Sequence, residues 1–359
     1  MRKRIKILGS WIDGLRGKIA LIYLLLIVMN LAAWTWALIA FRTYPLPLGA
    51  GFLAYAFGLK HAVDADHIAA IDNVTRKLMH QGKRPVAVGF FFSLGHSTIV
   101  FLLSAALALT ATSFKGQFGL LRGIGGVIGM TVSASFLFMI GFANIIVFIV
   151  LYRTFRRVKN GGDYIEEDFN QLMANRGLIA RATRSLFGLI GKSWHMYLLG
   201  FLFGLGFDTA TEIGLLGASA AEAAKGMPLW TILVFPALFT ASMSLVDTTD
   251  GVLMLGAYGW AFLKPVRKIY YNMTLTFVSI IIALGVGSIE ILGLISTRLH
   301  QGGGLSSTIS YANAHFAAIG LSLVAFFAVS WIVSKTIYRM RGRRESGACD
   351  CRSSTNAAA

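Results

Sequence analysis

Residues 19–41 run 23 positions without a charged side chain, and residues 86–114, 123–152 and 316–334 are equally free of charge. About 20 apolar residues in helical conformation cross the hydrocarbon core of a bilayer. Within that core every backbone N–H and C=O must be satisfied by the segment itself or its neighbours, so such blocks fold as helices. A water-soluble fold rarely needs one of them, let alone four. The composition agrees: 56% of the 359 residues are apolar and 14% charged, against roughly 25% charged in soluble domains. The chain reads as an all-α, polytopic membrane protein of about eight transmembrane helices, near residues 19–41, 48–75, 86–112, 123–152, 194–221, 228–257, 269–297 and 316–338. The predicted organisation is a tail of residues 1–18, a transmembrane domain over 19–338 with its longest loop at 153–193, and a tail over 339–359. The first block is too long for a signal peptide and is read as a retained anchor.

A formal net charge of +17 raises the question of nucleic acid, but the distribution answers it. Of 33 Lys and Arg, 27 fall in the two tails and in the loops that an eight-span chain places on the same side as its termini. Five lie in the opposite loops, and Lys60 lies within a span. Excess positive charge marks the cytoplasmic side of a membrane protein rather than a binding face. Both termini and the loop over 153–193 are therefore expected in the cytoplasm, in a multi-pass protein of a bacterial inner membrane with no nucleic-acid partner. The two cysteines, Cys349 and Cys351, lie in the last tail, where no disulfide can staple the spans.

The chain also carries an internal echo. Phe57-Gly58-Leu59 resembles Phe203-Gly204-Leu205, the run Phe92 to Ser97 resembles Phe239 to Ser244, and Met130-Thr131 resembles Met273-Thr274. The offset is nearly constant, so spans 2–4 repeat as spans 5–7. Three helices per copy is an odd number, which inverts the second copy. Transporters built from inverted repeats place their substrate near the midplane where the copies meet.

The chemistry concentrates at that depth. The second span holds Lys60, His61, Asp64, Asp66, His67 and Asp72; the fifth adds Asp208 and Glu212, the sixth Asp247 and Asp250, the seventh Glu290. A charge at the bilayer centre costs roughly 2.5–3.5 kcal/mol even on translocon scales and marks function by default. One lysine does not neutralise eight carboxylates, so a bound cation, protons or both are required. Counted inward from each span's start, Asn30, His61, His96 and Asp208 share one level. On an unbroken helix His61, Asp64, His67 and Asp72 share an inward arc and Asp66 does not. Either Asp66 faces another helix or the helix is distorted at the motif. Imidazole with carboxylate and no thiolate suits nickel, cobalt, copper or zinc. The competing structural readings are helix-to-helix hydrogen bonding for the histidines and capping or interfacial solvation for Asp247 and Asp250, placed near the end of their span.

His61-Ala-Val-Asp-Ala-Asp66-His67 resembles the H-x4-D-H signature of the nickel/cobalt transporter (NiCoT) family of secondary permeases. Leu94-Gly-His96-Ser-Thr98, Leu205-Gly-Phe-Asp208-Thr-Ala-Thr-Glu212, and the run from Phe235 to Asp247-Thr-Thr-Asp250-Gly resemble the family's motifs on the third, fifth and sixth spans. The likeness extends over nearly the whole chain, and in particular to the hydrogenase-associated high-affinity nickel permeases. It implies uptake of nickel, cobalt or both, with His61, Asp66 and His67 required. It also links ion preference to the second-span histidine and a first-span residue, a place that Asn30 fits. The expected metal ligands are His61, Asp66, His67 and His96. The expected pathway or selectivity residues are Asn30, Lys60, Asp64, Asp72, Asp208, Glu212, Asp247, Asp250 and Glu290.

The rival readings are an exporter of the same ions, and a membrane enzyme, either an intramembrane metalloprotease or a haem protein. The protease pattern H-E-x-x-H does not occur, nor does the nucleotide-binding G-x-x-x-x-G-K-[ST]. Asp64 and Asp66 would be poor neighbours for a porphyrin between His61 and His96. No enzyme activity, no cofactor and no ATPase partner are expected; the metal ion is cargo and the lipid bilayer the surrounding partner.

Overall fold

The uncharged blocks at 19–41, 86–114 and 123–152 are helical over nearly all of their described residues. The computed structural model describes residues 2–42, 45–110, 118–159, 190–205, 225–261 and 265–299, with short pieces at 215, 219, 221–222, 311, 315, 318–322 and 325. Every element in it is helical: α1 (Arg2–Ala40), α2 (Pro45–His61), α3 (Ala65–His80), α4 (Val88–Thr110), α5 (Phe118–Lys159), α6 (His195–Phe203), α7 (Leu229–Ile232), α8 (Val234–Ala261) and α9 (Pro265–Leu299). Five of these are long and apolar enough to cross a membrane, within Gly14–Ala40, Val88–Ala106, Met130–Arg157, Leu229–Gly256 and Thr276–Ile295. They coincide with the first, third, fourth, sixth and seventh predicted spans. The chain is a multi-pass membrane protein. Residues 206–214 and 216–218 of the fifth predicted span, most of the eighth, and residues 160–189 of the long loop lie outside the described residues.

Burial sorts the helices into centre and rim. The apolar window of α7–α8 is 72% buried and that of α1 only 17%. Around α1 the side chains of Leu21, Leu24, Ile27, Leu31, Leu38 and Ile39 are exposed, a face suited to lipid tails. Helix α8 is the hub, packed against α1, α2, α3 and α4, while α5 packs on α9 and α4 on α6. One buried cluster joins α3, α4, α5, α6 and α9 through Ile71, Phe92, Leu137, Met196 and Ala283. A second joins α1, α2 and α8 through Ala37, Ala54, Phe235 and Phe239.

The packing respects the internal repeat. Exchanging spans 2, 3 and 4 for 5, 6 and 7 turns the α2–α8 contact into the α6–α4 contact, and maps the α4–α8 and α5–α9 contacts onto themselves. All four pairs are extensive. At one crossing a Cβ on Gly58 of α2 would strike the Phe239 carbonyl and Ser242 Oγ of α8. The repeat counterpart, Gly204, sits where a Cβ would lie 2.8 Å from the His96 carbonyl of α4. Small residues allow such backbone approach between membrane helices.

The second span is not one helix. Helix α2 ends at His61 and α3 begins at Ala65, with Asp64 between them in extended backbone (φ −64°, ψ 145°). This settles the choice left by the helical arc: the helix is interrupted inside the motif. Asp64 sits at the N-cap position of α3, yet its side chain makes no capping bond there; it turns back to His61. Gly320, in the helical turn 318–322, lies against the Val63 carbonyl, so part of the predicted eighth span packs over the break. Helix α3 then runs on to His80, through Arg76 and Lys77, because α8 and α9 bury it.

Candidate metal centre

Three imidazoles meet beside the break. His61 ends α2, His67 lies in the first turn of α3, and His96 lies on α4. Their ring centroids are 4.6 Å (His61–His67), 4.8 Å (His61–His96) and 5.1 Å (His67–His96) apart. One nitrogen from each can be chosen so that all three lie within 4.8 Å of one another, and the group is buried. His61 Nε2 and His96 Nε2 are 3.0 Å apart. Two nitrogens each about 2.1 Å from one metal and at right angles to one another are separated by about 3 Å, so this pair has the spacing of adjacent ligands.

Carboxylates set the rings. His61 Nδ1 is 3.0 Å from Asp64 Oδ2, and His67 Nδ1 is 3.3 Å from Asp247 Oδ1. With Nδ1–H donated to a carboxylate, each ring directs its Nε2 lone pair away from that carboxylate, the arrangement typical of metal-bound histidine. His67 Nε2 is buried and has no hydrogen-bond partner. An unmet buried acceptor costs about 1–3 kcal/mol, which an arriving cation relieves. The C-terminal end of α2, with its partial negative charge, also ends at His61.

The walls follow the repeat. The ring of Phe92 stands edge-on to His67 at 4.8 Å, and that of its counterpart Phe239 lies 5.6 Å from His61. Both phenylalanines are fully buried. His67 is 0% exposed and His61 and His96 are 2% exposed, so the cluster is sealed from both sides in this conformation. Any ion reaching it requires the helices to part.

A profile of the NicO family, described as "High-affinity nickel-transport protein", matches residues 48–337. The chain belongs to this family. The high-affinity nickel transport protein of Cupriavidus necator is 54% identical over 326 residues, covering 91% of this chain and 93% of the relative. The hydrogenase nickel incorporation protein HupN of Bradyrhizobium diazoefficiens is 49% identical over 325 residues, 90% and 85% of the two chains. The cobalt transport protein NhlF of Rhodococcus rhodochrous is 38% identical over 290 residues, 79% and 80%. No solved structure matches.

Within this NicO chain the sequence-derived residues fall into separate places. His61, His67 and His96 come together; Asp66, in the first turn of α3, is partly exposed and lies outside that group of three, with Oδ1 buried and unpartnered. Asp64 and Asp247 orient imidazoles. The reading of Asp247 as a capping or interfacially solvated group fails, because it is 0% exposed and pairs with His67 of α3. Asp72 accepts a hydrogen bond from Ser279 of α9 at 3.0 Å, and Asp250 is buried one turn beyond Asp247. Glu290 is buried between α9 and α5, where Ser133 donates to it at 2.8 Å. Lys60 is exposed in the last turn of α2. Asp208 and Glu212 lie outside the described residues.

Asn30 takes up no position among the imidazoles. Its amide Nδ2 donates to the Leu26 carbonyl at 2.8 Å and to the Ala241 carbonyl of α8 at 3.2 Å, while its Oδ1 accepts from Tyr55 at 2.9 Å. It pins α1 to α8 and, through Tyr55, to α2. Ala241 is two residues from Phe239, which walls His61.

Proposed function

We propose that the chain is a secondary permease that takes nickel, with cobalt as the second candidate ion, across the bacterial cytoplasmic membrane into the cell. The observation that carries this reading is the occluded cluster of His61, His67 and His96, oriented by Asp64 and Asp247. The named activities of its relatives support it. A divalent ion on three neutral imidazoles, balanced by the carboxylates of Asp64 and Asp247, makes a site of zero net charge. That is the condition under which an ion can rest in a low-dielectric interior. Asp66, beside His67, adds a further carboxylate on the approach. An inside-negative potential favours entry of a divalent cation by about 4.6 kcal/mol per 100 mV, which drives uptake without nucleotide hydrolysis. The test is uptake of radioactive nickel by cells expressing the chain, with cobalt as competitor. Accumulation above the vector control that cobalt reduces supports the proposal; no accumulation contradicts it.

Ion preference follows from the Asn30 clamp. Affinity alone ranks nickel only slightly above cobalt, so discrimination is geometric. The Asn30 amide fixes α8 at Ala241 and thereby the spacing of Phe239 and His61. Asn30→His removes both donor bonds and is expected to lower nickel uptake and raise the cobalt-to-nickel ratio. Tyr55→Phe, which removes one bond and adds nothing, is expected to move the ratio in the same direction by less. The ratio is measured at matched membrane expression, and an unchanged ratio in both variants would exclude the clamp.

Both termini are proposed to face the cytoplasm. Lys83 donates to the Gly191 carbonyl at 2.5 Å, which joins the two basic loops assigned to that side. A reporter active only outside the membrane is expected to be silent when fused after Arg344 and active near Lys115 or Lys225. Activity after Arg344 would overturn the orientation.

A further inference from the structure

Beyond the imidazoles, a second polar layer crosses the interior at the side of residues 76–84. Asp250 lies three residues after Asp247 on α8, about 4.5 Å farther along the axis, and Asp72 lies five residues after His67 on α3, about 7.5 Å farther. The two helices bring these residues to one level, since a Cβ on Gly251 would lie 3.5 Å from Ile71 Cγ2. Ser279 of α9 donates to Asp72 at 3.0 Å.

Asp250 is 3% exposed, and neither of its carboxylate oxygens has a hydrogen-bond partner. A buried carboxylate with no donor is among the costliest groups to keep in a protein interior. It is retained where something positive completes it. The nearest basic group on α3, Arg76, is engaged elsewhere: it donates to Thr276 at 2.8 Å and to Asn73 at 3.3 Å, and Asn73 in turn accepts from Asn144 at 2.6 Å. This network ties α3, α5 and α9 together one turn beyond Asp72. A fixed buried guanidinium there also opposes passage of a free cation.

We propose that Asp72, Asp250 and Ser279 form a second, all-oxygen station for a divalent cation, which receives the ion from the imidazole cluster and holds it until the Arg76 network parts. The proposal rests on the reading of His61, His67 and His96 as the transport site. Carboxylate and hydroxyl oxygens are harder and less selective ligands than imidazole. The first site therefore selects the ion, and the second binds it more loosely and lets it leave.

The test is the stoichiometry of nickel bound to the purified full chain in detergent, measured by equilibrium dialysis with and without excess magnesium. The wild type is expected to bind two ions, one of which magnesium displaces. Asp250→Asn is expected to bind one, resistant to magnesium, and Asp250→Glu to regain the second. His67→Ala is expected to keep only the displaceable ion. A wild type that saturates at one ion, removed by His67→Ala, overturns the second station and leaves the imidazole site standing. Two ions retained by Asp250→Asn also overturn it. Nickel binding by His67→Ala equal to that of the wild type contradicts the imidazole reading instead.

Discussion

Replacing His67 by alanine is expected to abolish nickel uptake, a fall on the order of 100-fold or more, while the protein still reaches the membrane. The ring supplies one of three imidazoles that converge on one point, and its Nε2 has no other partner to satisfy. Asp247→Asn separates the roles of ligand and support. It keeps the size of the side chain and removes the charge behind the ring, and is expected to cost about 10–100-fold in apparent nickel affinity. His300→Ala, in a predicted loop, serves as the control and leaves uptake unchanged. Wild-type uptake by His67→Ala would remove this residue from the site.

The second large effect is structural. A Cβ on Gly89 of α4 would overlap the Asp247 carbonyl of α8, a backbone atom that no rotamer change can move. Gly89→Ala is therefore expected to force the α4–α8 crossing apart at a cost of about 3 kcal/mol, the upper range for overpacking. It also displaces the backbone of the residue that orients His67. The expected result is a sharp drop in folded protein in the membrane and a lower thermal midpoint in detergent. Gly256→Ala on α8 adds the same methyl where nothing lies within 4 Å. It is expected to be neutral or to stabilise by up to about 1 kcal/mol through helix propensity. Equal behaviour of the two variants would contradict a backbone-to-backbone crossing of α4 and α8 at Gly89.

The charge-free blocks announced α1, α4 and α5, and apolar length despite Asp247, Asp250 and Glu290 announced α8 and α9, because a bilayer leaves such segments a single backbone solution. The pairing of His61 with His96 was legible from depth alone, since both lie near the midpoint of their spans. The break between α2 and α3 was legible only as one of two alternatives, through the angle at which Asp66 falls. Residues 62–64 read Ala-Val-Asp, with neither Pro nor Gly, and their helix propensities differ by only tenths of a kcal/mol. What ends the helix there is tertiary: Asp64 turns back to His61 and Gly320 packs on the Val63 carbonyl. Asp247 was misplaced for a related reason. Its place along the span allowed capping or interfacial solvation, and only the packing of α3 against α8 shows it buried against His67. Asn30 was at the right level for a ligand, but a sequence does not show where an amide spends its hydrogen bonds. The repeat, by contrast, foresaw more than helix order: Phe92 and Phe239, matched by the likeness and offset of their runs, stand against two of the imidazoles.

Nickel held by three imidazoles inside the membrane would carry their signature in its own absorption spectrum. X-ray absorption at the nickel edge, on purified protein loaded with one equivalent, tests this most directly. The wild type is expected to show nitrogen ligands near 2.1 Å with the outer-shell scattering of about three imidazole rings, falling to two in His96→Ala. A first shell of oxygen alone, or an imidazole count unchanged by His96→Ala, would contradict the account.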